Sequence, residues 1–142
     1  MNTKGMAKKA LTATAVAVSA VALSTAPAFA GSNGHAYTDF ESCSVLGTGC
    51  VMIETGEGWF TADGDKWKAC DLYADGMRVV VEARWTSGGA THIYPAIADQ
   101  GKGTCDTYSK DIPEGTKVSL KIWRQKGADG TPKDVTSFSG TA

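Results

Sequence analysis

The sequence predicts an all-β protein, a small antiparallel β-sandwich or barrel-like domain with two disulfides. Apolar and polar residues alternate along two segments, as they do in strands with one buried face. Turn signals recur roughly every 10 to 15 residues, and no long helical period follows residue 30. The four cysteines are an even number, which suits a disulfide framework.

The clearest predicted strand covers residues 77–85, where every second residue is apolar. Arg78, Glu82 and Arg84 occupy intervening positions, so one face is expected to be buried and the other to meet solvent. We therefore expect Trp85 in the core, on the same face as Met77, Val79, Val81 and Ala83.

A second strand is predicted around Val118, Leu120 and Ile122, which alternate with polar residues. Trp123 follows the spacing of the lysines on this strand, so it is expected to point outward beside Arg124. Exposed Trp and Arg side chains are common anchors in protein recognition, and an exposed Trp ring also stacks on sugars. Trp123 and Arg124 are therefore the candidate binding residues; the alternative is that a second layer or a crossing loop covers Trp123.

Weaker patterns predict further strands separated by turn residues. Pro95 places its strand at an edge or a bulge, because proline lacks a backbone N–H. Residues 31–35 are expected to form a loose lead-in, and Trp59 and Trp67 flank a turn across which they could pair. These strands are predicted at residues 50–54, 59–61, 67–73, 91–98, 104–109 and 134–139, with Ala-Asp-Gly turns at residues 62–64, 74–76 and 128–130.

The first 30 residues have the three parts of a cleavable secretory signal. Three lysines precede residue 10, residues 10–23 are uncharged and largely apolar, and Ala28-Phe29-Ala30 fits the small-x-small cleavage pattern. The apolar run is about 14 residues long, short of the roughly 20 that cross a bilayer, so a signal is favoured over a membrane anchor. We therefore expect a secreted, extracellular protein with a single domain over residues 31–142.

Cleavage before Gly31 would leave 112 residues, enough for one domain with a buried core. Because the signal holds three lysines and no acidic residue, the remaining domain has 11 basic and 15 acidic residues and a net charge of −4. This charge argues against nucleic acid or an anionic membrane as the partner. No later apolar stretch is long enough to span a membrane, so the expected partner is an unknown extracellular protein or glycan.

All the cysteines, Cys43, Cys50, Cys70 and Cys105, follow the signal, and an oxidising compartment favours two disulfides. Four cysteines allow three pairings. The short spacing of Cys43 and Cys50 suits a bridge across a turn and leaves Cys70 to pair with Cys105. A zinc site is the alternative, but the sequence lacks CxxC and neither histidine has ligand spacing to the cysteines, so no metal and no cofactor are expected.

No catalytic residues are predicted. The sequence has no GxSxG nucleophile turn, and His92 lies in a predicted strand, where an ordinary sheet-face role is expected. Most acidic residues fall in turns or on outer strand faces, and the alternative is a pair of carboxylates that meet only in the folded structure. We therefore expect that the protein is not an enzyme.

Two stretches carry a resemblance to other proteins. Residues 70–76 read Cys-Asp-Leu-Tyr-Ala-Asp-Gly, and Ile112-Pro113-Glu114-Gly115 follows Cys105. This pattern, C-D-x-x-A-D-G, then a cysteine and P-E-G, resembles small secreted actinobacterial β-sandwich proteins of unassigned function over roughly residues 66–124. The resemblance implies a sandwich and a bridge between Cys70 and Cys105, and it carries over no functional residue.

The leading functional hypothesis is a secreted, non-catalytic domain that binds a partner or associates with a surface. The first alternative is an inhibitor of a secreted protease or amylase. The chain is similar to the subtilisin-inhibitor type in length and cysteine number but lacks its C-P-M-x-Y-D-P loop, and it has Trp123-Arg124-Gln125 where the amylase-inhibitor type has Trp-Arg-Tyr. The second alternative is a small protein that binds or hydrolyses polysaccharide.

Overall fold

The computed structural model describes residues 31–47 and 49–142, which form two antiparallel sheets of four strands each. The all-β prediction is confirmed, while the predicted secretory signal lies outside the described residues. Within the described ranges, no helix is long and apolar enough to cross a membrane. The strands are β1 Gly34–Cys43, β2 Cys50–Thr61, β3 Lys66–Asp71, β4 Arg78–Ser87, β5 Ala90–Ala98, β6 Cys105–Ser109, β7 Lys117–Gln125 and β8 Lys133–Thr141.

The two sheets face each other and contact along both pairs of edges. The first sheet has the order β1-β2-β3-β6, and the second has the order β5-β4-β7-β8. At one side Ser32, just before β1, exchanges two backbone hydrogen bonds of 2.9 Å with Thr141 of β8. At the other side the backbone N–H of Ile97 on β5 donates to the carboxylate of Asp106 on β6 at 2.9 Å. The edge position of β5 confirms the prediction made from Pro95.

The core lies between the sheets and follows the predicted alternation. Trp85 is buried, as expected, and its ring lies 5.9 Å from the ring of Trp67 on the opposite sheet. Burial of these large apolar side chains supplies the main stabilisation of such a domain. The core also contains Phe60, Ala69, Val79, Val81, Ala83, Ala96, Ala98, Ile112, Val118, Leu120, Ile122 and Ala142.

Strand β2 is longer than the sequence suggested, because two glycines lie inside it. A Cβ atom on Gly56 would lie 2.7 Å from Val79, and one on Gly58 would lie 2.9 Å from Val81. Glycine is needed at these positions for the two sheets to approach closely. The two short strands predicted in this region are therefore one strand of 12 residues.

Strand β1 was not predicted, and the lead-in expected at residues 31–35 is already part of it from Gly34. The register of β1 against β2 shifts between Thr38 and Asp39, which marks a β-bulge. A bulge interrupts the two-residue period, so the segment lacks the alternation typical of a strand.

Both predicted disulfides form, and each joins two residues directly opposite one another on neighbouring strands. Cys43 at the end of β1 bonds Cys50 at the start of β2. Cys70 on β3 bonds Cys105 on β6. The first bridge closes the turn between β1 and β2, and the second fixes the short edge strand β6.

Trp59 and Trp67 do not pair across the β2–β3 turn. Trp67 lies opposite Phe60, and Trp59 lies opposite Lys68. Because successive side chains in a strand point to opposite faces, Trp67 is buried and Trp59 is on the outer face of the first sheet.

Candidate functional site

The outer face of the first sheet carries a cluster of aromatic and charged side chains that the strand register brings together. His35 on β1 lies opposite Trp59 on β2, and Trp59 lies opposite Lys68 on β3. Lys68 in turn lies opposite Thr107 on β6. One row across the sheet therefore joins side chains from four strands.

Trp59 is the centre of this cluster and keeps 37% of its surface exposed. The His35 ring stacks on it, with ring centroids 3.8 Å apart and an interplanar angle of 25°. Tyr37 meets His35 edge-on at 4.6 Å. Strands β1 and β3 lie on opposite sides of β2, so His35 covers the indole ring from the β1 side. The β3 side of the ring faces Lys68, whose Nζ lies 5.8 Å from the ring centroid.

A shallow depression of about 360 Å³ opens on the β3 side of Trp59. Its lining combines one aromatic ring, two ammonium groups and two hydroxyls, contributed by Trp59, Lys66, Lys68, Thr61 and Thr107. An aromatic wall with a few polar groups at its rim suits a ligand that has an apolar face and polar edges. The two lysines favour a ligand that also carries an acidic group.

Glu57 lies in the neighbouring row of the same face, opposite Tyr37. Its carboxylate is 3.0 Å from Nε2 of His35. Partial burial raises the pKa of Glu57, but hydrogen bonds from Trp59, His35 and Tyr37 outweigh that effect, and the resulting pKa lies below the usual value. The lowered pKa favours the ionised form of Glu57, which contacts Nε2 of His35.

The pKa of Tyr37 is raised, and the neighbouring Glu57 is one of the causes. Desolvation raises the pKa of the Tyr37 hydroxyl, and the charge and hydrogen bond of Glu57 raise it further. The hydroxyl therefore stays protonated and available as a donor to Glu57 over the neutral pH range.

Trp123 lies opposite Val80 on the outer face of the second sheet, as its spacing with the lysines predicts, but it is half-buried. Its indole N–H donates to the side-chain oxygen of Gln125 at 2.6 Å. The pairing of β7 with β4 continues without a shift through Trp123 to Gln125, and the register shift between Ile122 and Arg124 occurs only in the pairing with β8.

Arg124 is also not the exposed anchor that the sequence suggested, since only 11% of its side chain is exposed. Its Nη1 lies 2.7 Å from Asp75, and its Nε donates to Asp134. The guanidinium group lies over the ring of Phe40, 4.5 Å from its centroid. Arg124 therefore links three separate segments and presents little surface to a partner.

His92 and the cysteine pair at the end of β1 both have structural roles. His92 stacks on the buried Trp85 ring, with centroids 5.1 Å apart, as expected for a sheet-face histidine. Glu41, Cys43 and Cys50 have their ligand-type atoms within 4.8 Å of one another. Both sulfurs are joined in the disulfide, so they offer no thiolate to a metal.

The cluster around Trp59 was missed at the sequence level because it depends on β1. Without that strand, His35 and Tyr37 had no neighbours. A signal was present nonetheless: Glu57, Trp59 and Thr61 alternate with Gly58 and Phe60, which is the pattern of a strand with one polar, aromatic outer face.

Comparison of the chain with protein-family models, with curated proteins and with solved structures found no match in any of the three.

Proposed function

We propose that this protein is a non-catalytic extracellular domain that binds a glycan at the depression beside Trp59. The observation that carries the proposal is the partly exposed indole ring, held in place by His35 and bordered on its other side by hydroxyl and ammonium groups. Sugar rings have an apolar C–H face and polar edges, and this arrangement complements both.

The proposed pose follows from the positions of the lining residues. The apolar face of the sugar packs against the β3 side of the Trp59 ring, where the Lys68 side chain moves aside or covers the bound ring. Thr61 and Thr107 exchange hydrogen bonds with sugar hydroxyls at the two ends of the depression. Lys66 and Lys68 donate to a carboxylate or another acidic substituent, so acidic sugars are preferred over neutral ones.

Two observations support binding without turnover. The depression is lined by no carboxylate among the described residues, whereas glycoside hydrolysis ordinarily uses two. Glu57, two residues before Trp59 on the same face of β2, has a lowered pKa and already contacts His35, which suits an acceptor better than a general acid.

An extracellular setting is supported by the secretory pattern of the first 30 residues and by the two disulfides, which persist in oxidising compartments. In that setting the domain would attach to an acidic polysaccharide outside the cell.

The test is a binding panel of soluble acidic polysaccharides, such as polygalacturonate and alginate, beside neutral glucans. We expect saturable binding of an acidic member by calorimetry and quenching of Trp fluorescence. Trp59→Ala should abolish binding, and Lys68→Ala should weaken it and reduce the preference for acidic over neutral chains.

Matched controls come from exposed residues elsewhere. Val135→Ala removes an exposed apolar side chain from β8, and Lys126→Ala removes a lysine from the β7–β8 turn. Both should bind like the unmodified protein. A panel without any binding, or binding that survives Trp59→Ala, would refute the proposed function.

A further inference from the structure

The β1–β2 hairpin extends beyond the rest of the first sheet as a two-stranded arm, defined here as residues 39–54. Strand β2 pairs with β3 only from Gly56 onward, so the preceding residues of β2 pair with β1 alone. A two-stranded hairpin is marginally stable by itself in water. The Cys43–Cys50 disulfide near the tip holds this arm together.

The tip of the arm is apolar and unusually exposed. Val45 is 100% exposed and Leu46 is 84% exposed, and Val51 and Met52 beside the disulfide are exposed as well. Contiguous exposed apolar side chains on a soluble domain commonly mark a contact surface. The disulfide limits the freedom of the tip, which reduces the entropy lost when it binds.

The charge on the arm has a single sign. Residues 34–61 contain no lysine and no arginine. The arm carries Asp39, Glu41 and Glu54, so two arms packed tip to tip would bring these carboxylates together. The surface that complements the arm is therefore one that combines apolar area with positive charge.

The outer face of the second sheet has such a surface, a groove of about 440 Å³ over β4, β7 and β8. Short serines at positions 119, 137 and 139 lie within it, and Arg84, Lys117 and Lys121 border it. Long basic side chains also contribute the apolar area of their stems. The register places the exposed Ile93 directly opposite Arg84, which adds an apolar margin.

Glu82 is the acidic residue in the lining of this groove, and it neutralises little of the positive charge. Its carboxylate is 3.8 Å from Arg84, whose side chain remains 55% exposed. Surface pairs of this kind contribute little, so the groove keeps a positive character.

We propose that the arm of one molecule docks in this groove on a second copy of the same chain. The tip supplies apolar side chains and an acidic stem, and the groove supplies apolar stems and three basic groups. The contact cannot form within one molecule, because the arm continues the first sheet whereas the groove is on the outward face of the second.

This contact joins two different surfaces, so it is heterologous. An open assembly therefore keeps one unused arm at one end and one unused groove at the other. The assembly therefore grows into chains of more than two copies unless it closes into a ring.

The test is sedimentation velocity of the full chain, produced in an exporting host and purified in the form recovered, over a wide range of concentration. The average mass should rise with concentration beyond that of a dimer and fall at high salt, because charge contributes to the contact. The double variant Val45→Ser with Leu46→Ser should remain a single chain throughout, and so should Lys117→Glu with Lys121→Glu. Lys126→Glu, which lies outside the groove, is the matched charge control and should associate normally.

Mixing the two non-associating variants gives the sharpest result. The serine variant keeps its groove and the glutamate variant keeps its arm, so together they should form a complex of one copy of each and no larger. Circular dichroism and thermal unfolding establish that each variant is folded before mixing.

Three results would overturn the proposal. These are a single-chain mass at every concentration, failure of the mixed variants to pair, or capture of a single-chain protein by zwitterionic lipid vesicles through Val45 and Leu46, which would make the tip a lipid contact. Glycan binding uses the other sheet, so Trp59→Ala should still associate and the serine variant should still bind glycan. The two proposals therefore succeed or fail separately.

Discussion

Arg124 and Asp75 are 49 positions apart in the chain, yet the Nη1 of Arg124 lies 2.7 Å from the Asp75 carboxylate. Arg124 also donates to Asp134 on β8, so one guanidinium group connects the segment before β4 with two strands of the second sheet. Burial lowers the pKa of Arg124, but the two carboxylates more than compensate and the net pKa is raised. The group is therefore a permanently charged cross-link at this end of the sandwich.

Replacing Arg124 with methionine should destabilise the domain by about 3 kcal/mol, because Asp75 and Asp134 lose their partner in a partly buried place. Urea unfolding monitored by Trp fluorescence measures the change. Arg84→Met is the control, since Arg84 is mostly exposed, and it should stay within about 0.5 kcal/mol of the unmodified protein. Equal stability of the two variants would mean that the Arg124 network contributes nothing.

The lowered pKa of Glu57 predicts a dependence of stability on pH. Because the folded pKa lies below the usual 4.5, the unfolded chain binds the proton more readily. The stabilisation by Glu57 is therefore complete above pH 4.5 and is lost as the pH falls through the lower, folded pKa. Glu57→Gln should show a shallower loss of stability over that acid range, measured by thermal unfolding at a series of pH values.

Asp71 serves as an internal comparison of opposite sign. Burial raises the pKa of Asp71, and the hydrogen bond from the backbone N–H of Tyr73 only partly offsets this. The contribution of Asp71 is thus present at low pH and is lost as the pH rises. The stability lost in Glu57→Gln, relative to the unmodified protein, should increase as the pH rises, whereas the stability lost in Asp71→Asn should decrease. Changes in the same direction for the two variants would contradict both assignments.

The two disulfides should differ in their contribution to stability. They close loops with sequence separations of 7 and 35 residues. The chain-entropy model gives roughly 2.5 kcal/mol for the short loop and roughly 4 kcal/mol for the long one. Replacing Cys70 and Cys105 with serine should therefore lower the unfolding free energy more than replacing Cys43 and Cys50, which urea titrations of the two double variants would measure. A larger loss for the Cys43 and Cys50 variant would show that loop entropy does not determine the contribution of the bridge at the tip.

Gly140 on β8 allows the close approach of Phe60 from the opposite sheet. A Cβ at this position would overlap the Phe60 ring and lie 2.6 Å from the backbone oxygen of Ser32. Gly140→Ala should therefore destabilise by about 1–3 kcal/mol through overpacking. Ser137→Ala, on the exposed face of the same strand, is the control and should change stability by less than about 0.5 kcal/mol. A harmless Gly140→Ala would mean that β8 moves away at little cost.

The sequence patterns predicted every strand of the second sheet, and in the first sheet they predicted β3 and β6 but missed β1 and divided β2 into two. Val79, Val81, Ala83 and Trp85 repeat every second residue without interruption. The same spacing continues along β7, because both strands have one face buried along most of their length. Strand β1 contains a bulge and β2 contains inward-facing glycines. A bulge shifts the two-residue period, and an inward-facing glycine supplies no apolar side chain, so the hydrophobic pattern that identifies a strand is absent from these segments.

The candidate site could not be predicted from local alternation either. Its residues come from four strands, and the pairing of His35 with Trp59 and of Lys68 with Thr107 is set by register over long sequence separations. Trp123 lies on the predicted outer face, opposite Val80, but alternation alone gives no information on its partial burial or on its hydrogen bond to Gln125. The disulfides could be predicted because the Cys43–Cys50 spacing is short and leaves one partner for Cys70.

Residues 34–61 contain no lysine or arginine, so trypsin has no cleavage site within the arm. A tryptic digest without reduction keeps the whole arm and its bridge inside one peptide that ends at Lys66, and the mass of that peptide gives the residue at which the purified chain begins. Cys70 and Cys105 fall in different peptides, residues 69–78 and 103–110, which stay joined until a reductant is added. Mass spectra taken before and after reduction therefore test the predicted cleavage before Gly31 and the connectivity of the two bridges.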